Sequence, residues 1–584
     1  MHNFRHLLHP LKVLWNERTT LFWPIWIAIT TLAAVFVPWV VRGGKNISPI
    51  PVQPPRRGWT YKATPAVSFL ILFLTCYCAG CLIWEDFTYY DESHFTDGSL
   101  AGRDIPVAIS SEADRFWPLG YQEFNLLRHV THSIDGYHAL RLVQLLVVVA
   151  LLLVLDDELS VEARVGLIVV LLITPSILIS FSGLIYAEAN VVFWLVCLIW
   201  FLERFKYTHS TSWALAAVLS AQVLIYYKET AFLLLFGFMV GRLLLRCRGL
   251  DREGWHFKPI KTPEGRLDIC LALLVLPFIL YYVAVTWPYS QGNYLETFRL
   301  SLSQVLGSYV KLDLLVWIFV CVTLARIILI LRRKAVPSIL WDGLAVGGGA
   351  FFAGYIILRI ESAYYLAPVD LIAVLYIGRL VFLSMGKWGL GLRLCAIALL
   401  CIVFVQDFSL SAFRIYERKN VIRAKAEIAD AIRERYQRDP RGVKRIFFPF
   451  AKPFYILEFA SYLNYVGVPV EQLSASSELR DGVLLAGTAV QKDGPCGYRA
   501  FICHPGSAPG HGDLVVIFPD DPTSVDESSV YLQGNSTLLM SYESWPPIPH
   551  WMWPFVDRLH VVSPAFPFVP LPNSWLKASV GIWK

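Results

Sequence analysis

Twelve apolar runs, most of them long enough to cross a hydrocarbon core of about 30 Å, dominate this sequence. They are Leu21–Val41, Ala66–Trp84, Ala139–Leu155, Val165–Ser182, Ala187–Leu202, Ser212–Tyr227, Ala231–Leu245, Leu267–Thr286, Leu312–Leu331, Ile339–Leu358, Leu366–Leu383 and Leu392–Phe408. Lipid offers no hydrogen bonds, so such runs must close their backbone bonds internally, as helices. Of the 584 residues, 56% are hydrophobic and 16% charged, against roughly 45–50% and about 25% in ordinary soluble domains. That balance excludes a soluble globule, a disordered chain, a coiled coil and a disulfide-stapled miniprotein. The expected fold class is a polytopic α-helical membrane protein of 11 or 12 transmembrane helices. The open number is the first run, which either spans or lies re-entrant within residues 1–64; Pro24 and Pro38 sit near its ends.

Charge predicts the orientation. The segments RCRGLDREGWHFKPIK after Leu245, RRK at Arg332, ERFK at Glu203 and GKWGLGLR near Lys387 are basic. All fall on one side if the spans alternate, and that side is cytoplasmic by the positive-inside rule. The stretch 85–138, the turns at Glu188 and Lys228, the loop 287–311, the turn 359–365 and everything after Phe408 then face outward. The basic segment 42–62 conflicts with an outward N-terminus, which holds Arg5, Lys12 and Arg18. The net charge of +6 gives no case for nucleic acid.

The tail, residues 409–584, changes character. A charged helix signal, YERKNVIRAKAEIADAIRERYQRD, opens it. Strands are expected at Arg445–Phe448, Gly482–Ala486, Leu514–Phe518 and Leu559–Val562, with the helix FYILEFASYLNY between the first two. That alternation predicts a C-terminal extracytoplasmic small α/β domain. Nine of the eleven cysteines lie in or beside the apolar runs, as small core hydrophobes. Cys496 and Cys503, in CGYRAFIC, are expected to form a disulfide if the compartment is oxidising.

Chemistry is expected in the outward loops. The first long one begins WEDFTYYDESHFTDGSL. Asp91 and Glu92 follow soon after a span, where a carboxylate stays ionised close to a lipid-borne substrate and suits a general base. His94 is grouped with the same pocket. YYKETA places Lys228 and Glu229 between two apolar runs, GLIYAEAN places Tyr186 and Glu188 at a turn, and ILRIESAYYLAP places Arg359, Glu361, Tyr364 and Tyr365 at another. Ionisable groups in spans are costly and usually mark sites. Lysine and arginine suit phosphate. Adjacent helical positions face apart, so Lys228 and Glu229 are expected to have different partners.

Taken together, the Asp-Glu pair opening a long outer loop, SFSGLIYAE, YYKETA and SAYYLAP resemble the GT-C superfamily of integral-membrane glycosyltransferases. The likeness is to bacterial protein-mannosyltransferase and aminoarabinose-transferase-like enzymes, and it covers a transmembrane domain of residues 65–408. It implies a polyprenyl-phosphate sugar donor and a glycan, lipid or protein acceptor at the periplasmic face of the bacterial inner membrane. It also implies an inverting mechanism. Asp91 takes the base role, with Glu92 second. Lys228, Arg359, Tyr364 and Tyr365 are assigned to the donor phosphate; Tyr186, Glu188, Glu229, Glu361 and His94 to the substrate pocket. Metal dependence varies in that family, and no ligand cluster in the sequence decides whether a divalent metal takes part. The competing class is a transporter or flippase for a lipid-linked or sugar substrate. Such proteins carry charge near the midplane, with inverted repeats; here the charges singled out sit at span ends and no repeat is visible.

Overall fold

A computed structural model of the chain describes residues 18–42, 65–81, 102–110, 115–248, 258–285, 300–384, 389–442, 445–448, 453–469, 474–477, 502–503, 509–518, 534–543 and 577–584. Each of the twelve apolar runs contains helix among its described residues. They correspond to α1 (Arg18–Arg42), α2 (Pro65–Cys81), α4 (Ile134–Leu155), the pair α5 (Val161–Leu172) and α6 (Pro175–Ser182), α7 (Glu188–Thr208), α8 (Thr211–Tyr227) and α9 (Ala231–Arg248). The rest are the pair α10 (Pro263–Leu273) and α11 (Val275–Val285), then α13 (Leu314–Leu331), α14 (Ile339–Leu358), α15 (Ala367–Ser384) and α16 (Leu390–Arg438). Two further helices, α3 (Gln122–Leu127) and α12 (Leu302–Leu312), lie between runs, and a 3-10 turn, Ala363–Leu366, leads into α15. Residues 115–116 (β2) pair antiparallel with 109–110 (β1) just before α3.

Among the described residues, seven helices are long and apolar enough to cross a membrane, or eight if the bent pair α5–α6 counts as one span. The chain is therefore a polytopic helical protein. The remaining four runs fall short of that standard for identifiable reasons. Helices α2 and α8 are short. Helix α7 carries Glu188, Glu203, Arg204 and Lys206, and α9 carries Arg242, Arg246 and Arg248.

Helices α5 and α6 meet at 69°. Pro175 has no N–H to continue the ladder and sits at the first position of α6, where none is needed. The carbonyl of Ile173 at this break accepts from Ser411 Oγ at 2.6 Å. Helices α9 and α14 pack through glycines one turn apart on each: Gly237 and Gly241 face Gly343 and Gly347. A Cβ at Gly347 would stand 2.8 Å from Leu234 O and 2.9 Å from Phe238 N, so only glycine admits this backbone approach.

The chain divides into two compact units, one of residues 1–82, 106–123 and 138–411, the other of 83–105, 124–137 and 412–584. The second unit thus takes in more than the tail. Its sheet has six strands in the order β5-β4-β3-β6-β8-β7. These are β3 (Arg445–Phe448), β4 (Ser474–Ser477), β5 (Ile502–Cys503), β6 (Leu514–Ile517), β7 (Ser536–Glu543) and β8 (Lys577–Trp583). The first four in that order are parallel, and β8 runs antiparallel to both of its neighbours, β6 and β7. Helix α17 (Pro453–Tyr465) follows β3. Phe448, Phe459 and Phe518 pack their rings together. The expected strands at 445–448 and 514–518 and the helix FYILEFASYLNY are present; those at 482–486 and 559–562 lie outside the described residues.

Candidate functional site

The first unit buries charge where α6 closes and α7 opens. Glu188 stands in the first turn of α7, 1% exposed, and accepts an ion pair from Lys228 Nζ at 2.9 Å. A carboxylate there also faces the positive end of the helix dipole. Lys228 ends α8 in extended conformation, which turns its side chain back into the protein. Its ammonium lies 4.7 Å from the ring centre of Tyr365 and 6.0 Å from that of Trp117, within cation–π range. Tyr365 stacks on Tyr355 at 4.7 Å, and Tyr364 bridges Tyr365 and Tyr186, 4.5 Å from each. Thr230 Oγ1 and Tyr355 OH are hydrogen-bonded at 2.9 Å. One buried lysine thus sits between a carboxylate and aromatic faces.

Beside this pair lies a closed ring of four side chains. Arg141 Nη1 donates to Gln144 Oε1 at 2.9 Å, Gln144 Nε2 to Asn190 Oδ1 at 2.8 Å, and Asn190 Nδ2 to Glu123 Oε1 at 2.7 Å. Arg141 Nη2 closes the ring on Glu123 Oε1 at 3.3 Å. Arginine only donates and an ionised glutamate only accepts, so the direction of every bond in the ring is fixed. Tyr227 OH adds a third donor to Glu123 at 3.2 Å, and Arg141 also donates to Leu184 O at 2.9 Å. The segment carrying Glu123 is tied down: Tyr121, left-handed at φ 68°, donates through its hydroxyl to Ile185 O at 2.7 Å. Gly120 precedes it because a Cβ there would stand 2.2 Å from the Trp117 ring.

A second buried polar cluster joins α6, α13, α15 and α16. Ser176 Oγ donates to Asp370 Oδ2, and the Asp313 and Asp370 carboxyl groups, both buried, act on each other electrostatically. Asp313 caps α13 by accepting from Val316 N at 3.2 Å. Asp407, also buried, interacts electrostatically with both.

The structure thus brings Lys228, Glu188, Tyr186, Tyr364 and Tyr365 together. Lys228 is buried; it does not occupy the open interfacial position that its place between two runs suggests, because its extended backbone aims it at Glu188. Glu229 is half-buried beside it. Arg359 and Glu361 are exposed, and among the described residues neither side chain forms an ion pair or hydrogen bond. Arg359 is the left-handed C-cap of α14, with its carbonyl accepting from Leu300 N at 3.1 Å. Asp91, Glu92, His94 and Cys496 lie outside the described residues, and of Cys503 only its place on β5 is described, so the expected disulfide is not placed.

Sequence reasoning missed Glu123, Arg141, Gln144, Asn190, Trp117 and Tyr227, and the three buried aspartates. A signal for two of them exists: Arg141 and Gln144 are polar residues three apart within an apolar run, hence on one helix face. Among the described residues, no group of three or more His, Cys, Asp or Glu is placed to hold a metal ion. In the comparisons with known proteins, no family model, no curated protein and no solved structure matches the chain.

Proposed function

We propose that the protein transfers a sugar from a polyprenyl-phosphate donor to a glycan, lipid or protein acceptor of the cell envelope, at the periplasmic face of a bacterial inner membrane. The observation that carries this reading is Lys228, a buried ammonium held against Glu188 among the rings of Tyr365 and Trp117. Aromatic faces suit sugar rings, and a fixed cation suits the phosphate whose charge grows as the sugar leaves. Asp91, in the acidic opening of the loop, takes the acceptor proton. The acceptor oxygen bonds to the anomeric carbon, the bond from that carbon to the phosphate oxygen breaks, and polyprenyl phosphate departs with the electron pair. A single displacement inverts the anomeric centre. Glu188 keeps Lys228 paired before donor arrives, which spares the cost of a lone buried charge.

A second reading, movement of a lipid-linked or sugar substrate across the bilayer, is favoured by the bent span α5–α6 and the buried Asp313, Asp370 and Asp407, features common in transporters. One experiment separates the two. Purified protein in liposomes, given a labelled polyprenyl-phosphate sugar and envelope material, is expected to release polyprenyl phosphate and label the acceptor. A donor that crosses the bilayer chemically intact, with no release, supports transport and overturns transfer.

A further inference from the structure

We infer that Glu123 is a positioning residue for the Lys228–Glu188 pair, acting on it through Tyr227 and Asn190. The inference rests on the sugar-transfer reading. Glu123 receives Tyr227 OH at 3.2 Å, and Tyr227 directly precedes Lys228. It receives Asn190 Nδ2 at 2.7 Å, and Asn190 shares the first turn of α7 with Glu188. One carboxylate therefore ties together the two backbone segments that carry the ion pair. Arg141 neutralises its charge, and Gln144 orients the Asn190 amide so that its NH2 can point nowhere else. A rigid shell of this kind fixes a site more precisely than a loop contact.

The chemistry of substitution is specific. Glu123 faces three donors and supplies only acceptors. Glu123→Gln keeps the volume but removes the charge that pairs with Arg141, and with its oxygen left to Asn190 and Arg141 its NH2 meets Tyr227 OH only if that hydrogen bond reverses direction. The tether on the segment that carries Lys228 is then weakened, although no atom of Lys228 or Glu188 is changed. Lys228 meets charge that develops mainly in the transition state, so its misplacement lowers kcat more than it raises donor KM.

The test is a double-mutant cycle on sugar transfer by the full-length protein in liposomes, with Glu123→Gln, Lys228→Met and both together. Glu123→Gln is expected to lower kcat by about 10- to 100-fold, the scale of a small misplacement, with donor KM within about three-fold of wild type. In the Lys228→Met background it should cost almost nothing further, because the group it positions is gone. Tyr227→Phe removes a single tether and should show the same coupling at a smaller size; it carries the test if Glu123→Gln does not accumulate. A Glu123→Gln penalty undiminished in the Lys228→Met background overturns the inference while leaving sugar transfer standing, as does unchanged kcat in both Glu123→Gln and Tyr227→Phe. A wild-type protein that transfers no sugar overturns sugar transfer and the inference together.

Discussion

At the residue scale, the energetics turn on groups buried with their charge. Lys228 and Glu188 are nearly inaccessible, so removing one leaves the other uncompensated. Breaking such a pair costs about 3–5 kcal/mol, whereas removing both is often far milder. Lys228→Met is therefore expected to lower the thermal unfolding midpoint of the detergent-solubilised protein more than Lys228→Met with Glu188→Gln does. A double variant less stable than the single one would show that Glu188 is held by groups other than Lys228. The sequence made these two residues legible because each interrupts an apolar stretch at its end. Glu123 was not legible for a physical reason. It lies in the stretch between two apolar runs, where a carboxylate looks solvated, and only the fold brings Arg141, Asn190 and Tyr227 to it. Arg359, expected at the donor phosphate from its place at a span end, is the exposed left-handed C-cap of α14.

At the element scale, close helix packing places the site. Thr230 and Tyr355 stand at one end of the α9–α14 pair, whose backbones approach through Gly237, Gly241, Gly343 and Gly347. Gly347→Ala drives a methyl against Leu234 O and Phe238 N and should force the helices apart; Gly349→Ala meets nothing within 4 Å. Expression and thermal stability are expected to fall for Gly347→Ala and to hold for Gly349→Ala, which also gains helix propensity. Equal behaviour of the two would remove the glycine seam as the determinant of that packing. Every apolar run was legible as a helix because lipid leaves a long apolar segment no other way to satisfy its backbone. The break at Thr174–Pro175 was not, since a proline in an apolar run can kink, end or merely start a helix. What decides here is the first-turn position of Pro175 and the Ser411 hydroxyl that satisfies Ile173 O.

At the scale of the whole molecule, the sequence separated an apolar part from a mixed tail. It did not yield the strand order of the sheet, because pairing such as β6 with β8 joins segments more than sixty residues apart. Nor does local pattern reveal that residues 83–105 and 124–137 belong to the unit that holds this sheet. The proposed orientation predicts that a phosphatase fused at Lys584 is active and a fluorescent protein fused there is dark; the reverse would place the tail in the cytoplasm and the basic loops outside. Sugar transfer itself is tested most directly by the rate of Asp91→Asn. This change keeps the size of the side chain and removes the proton acceptor. Transfer from a labelled polyprenyl-phosphate sugar should fall by about 10²–10⁴-fold, the contribution of a positioned base, with donor affinity nearly unchanged and with Glu92→Gln costing less. Full activity in both Asp91→Asn and Glu92→Gln would contradict the assignment of the base to this acidic pair.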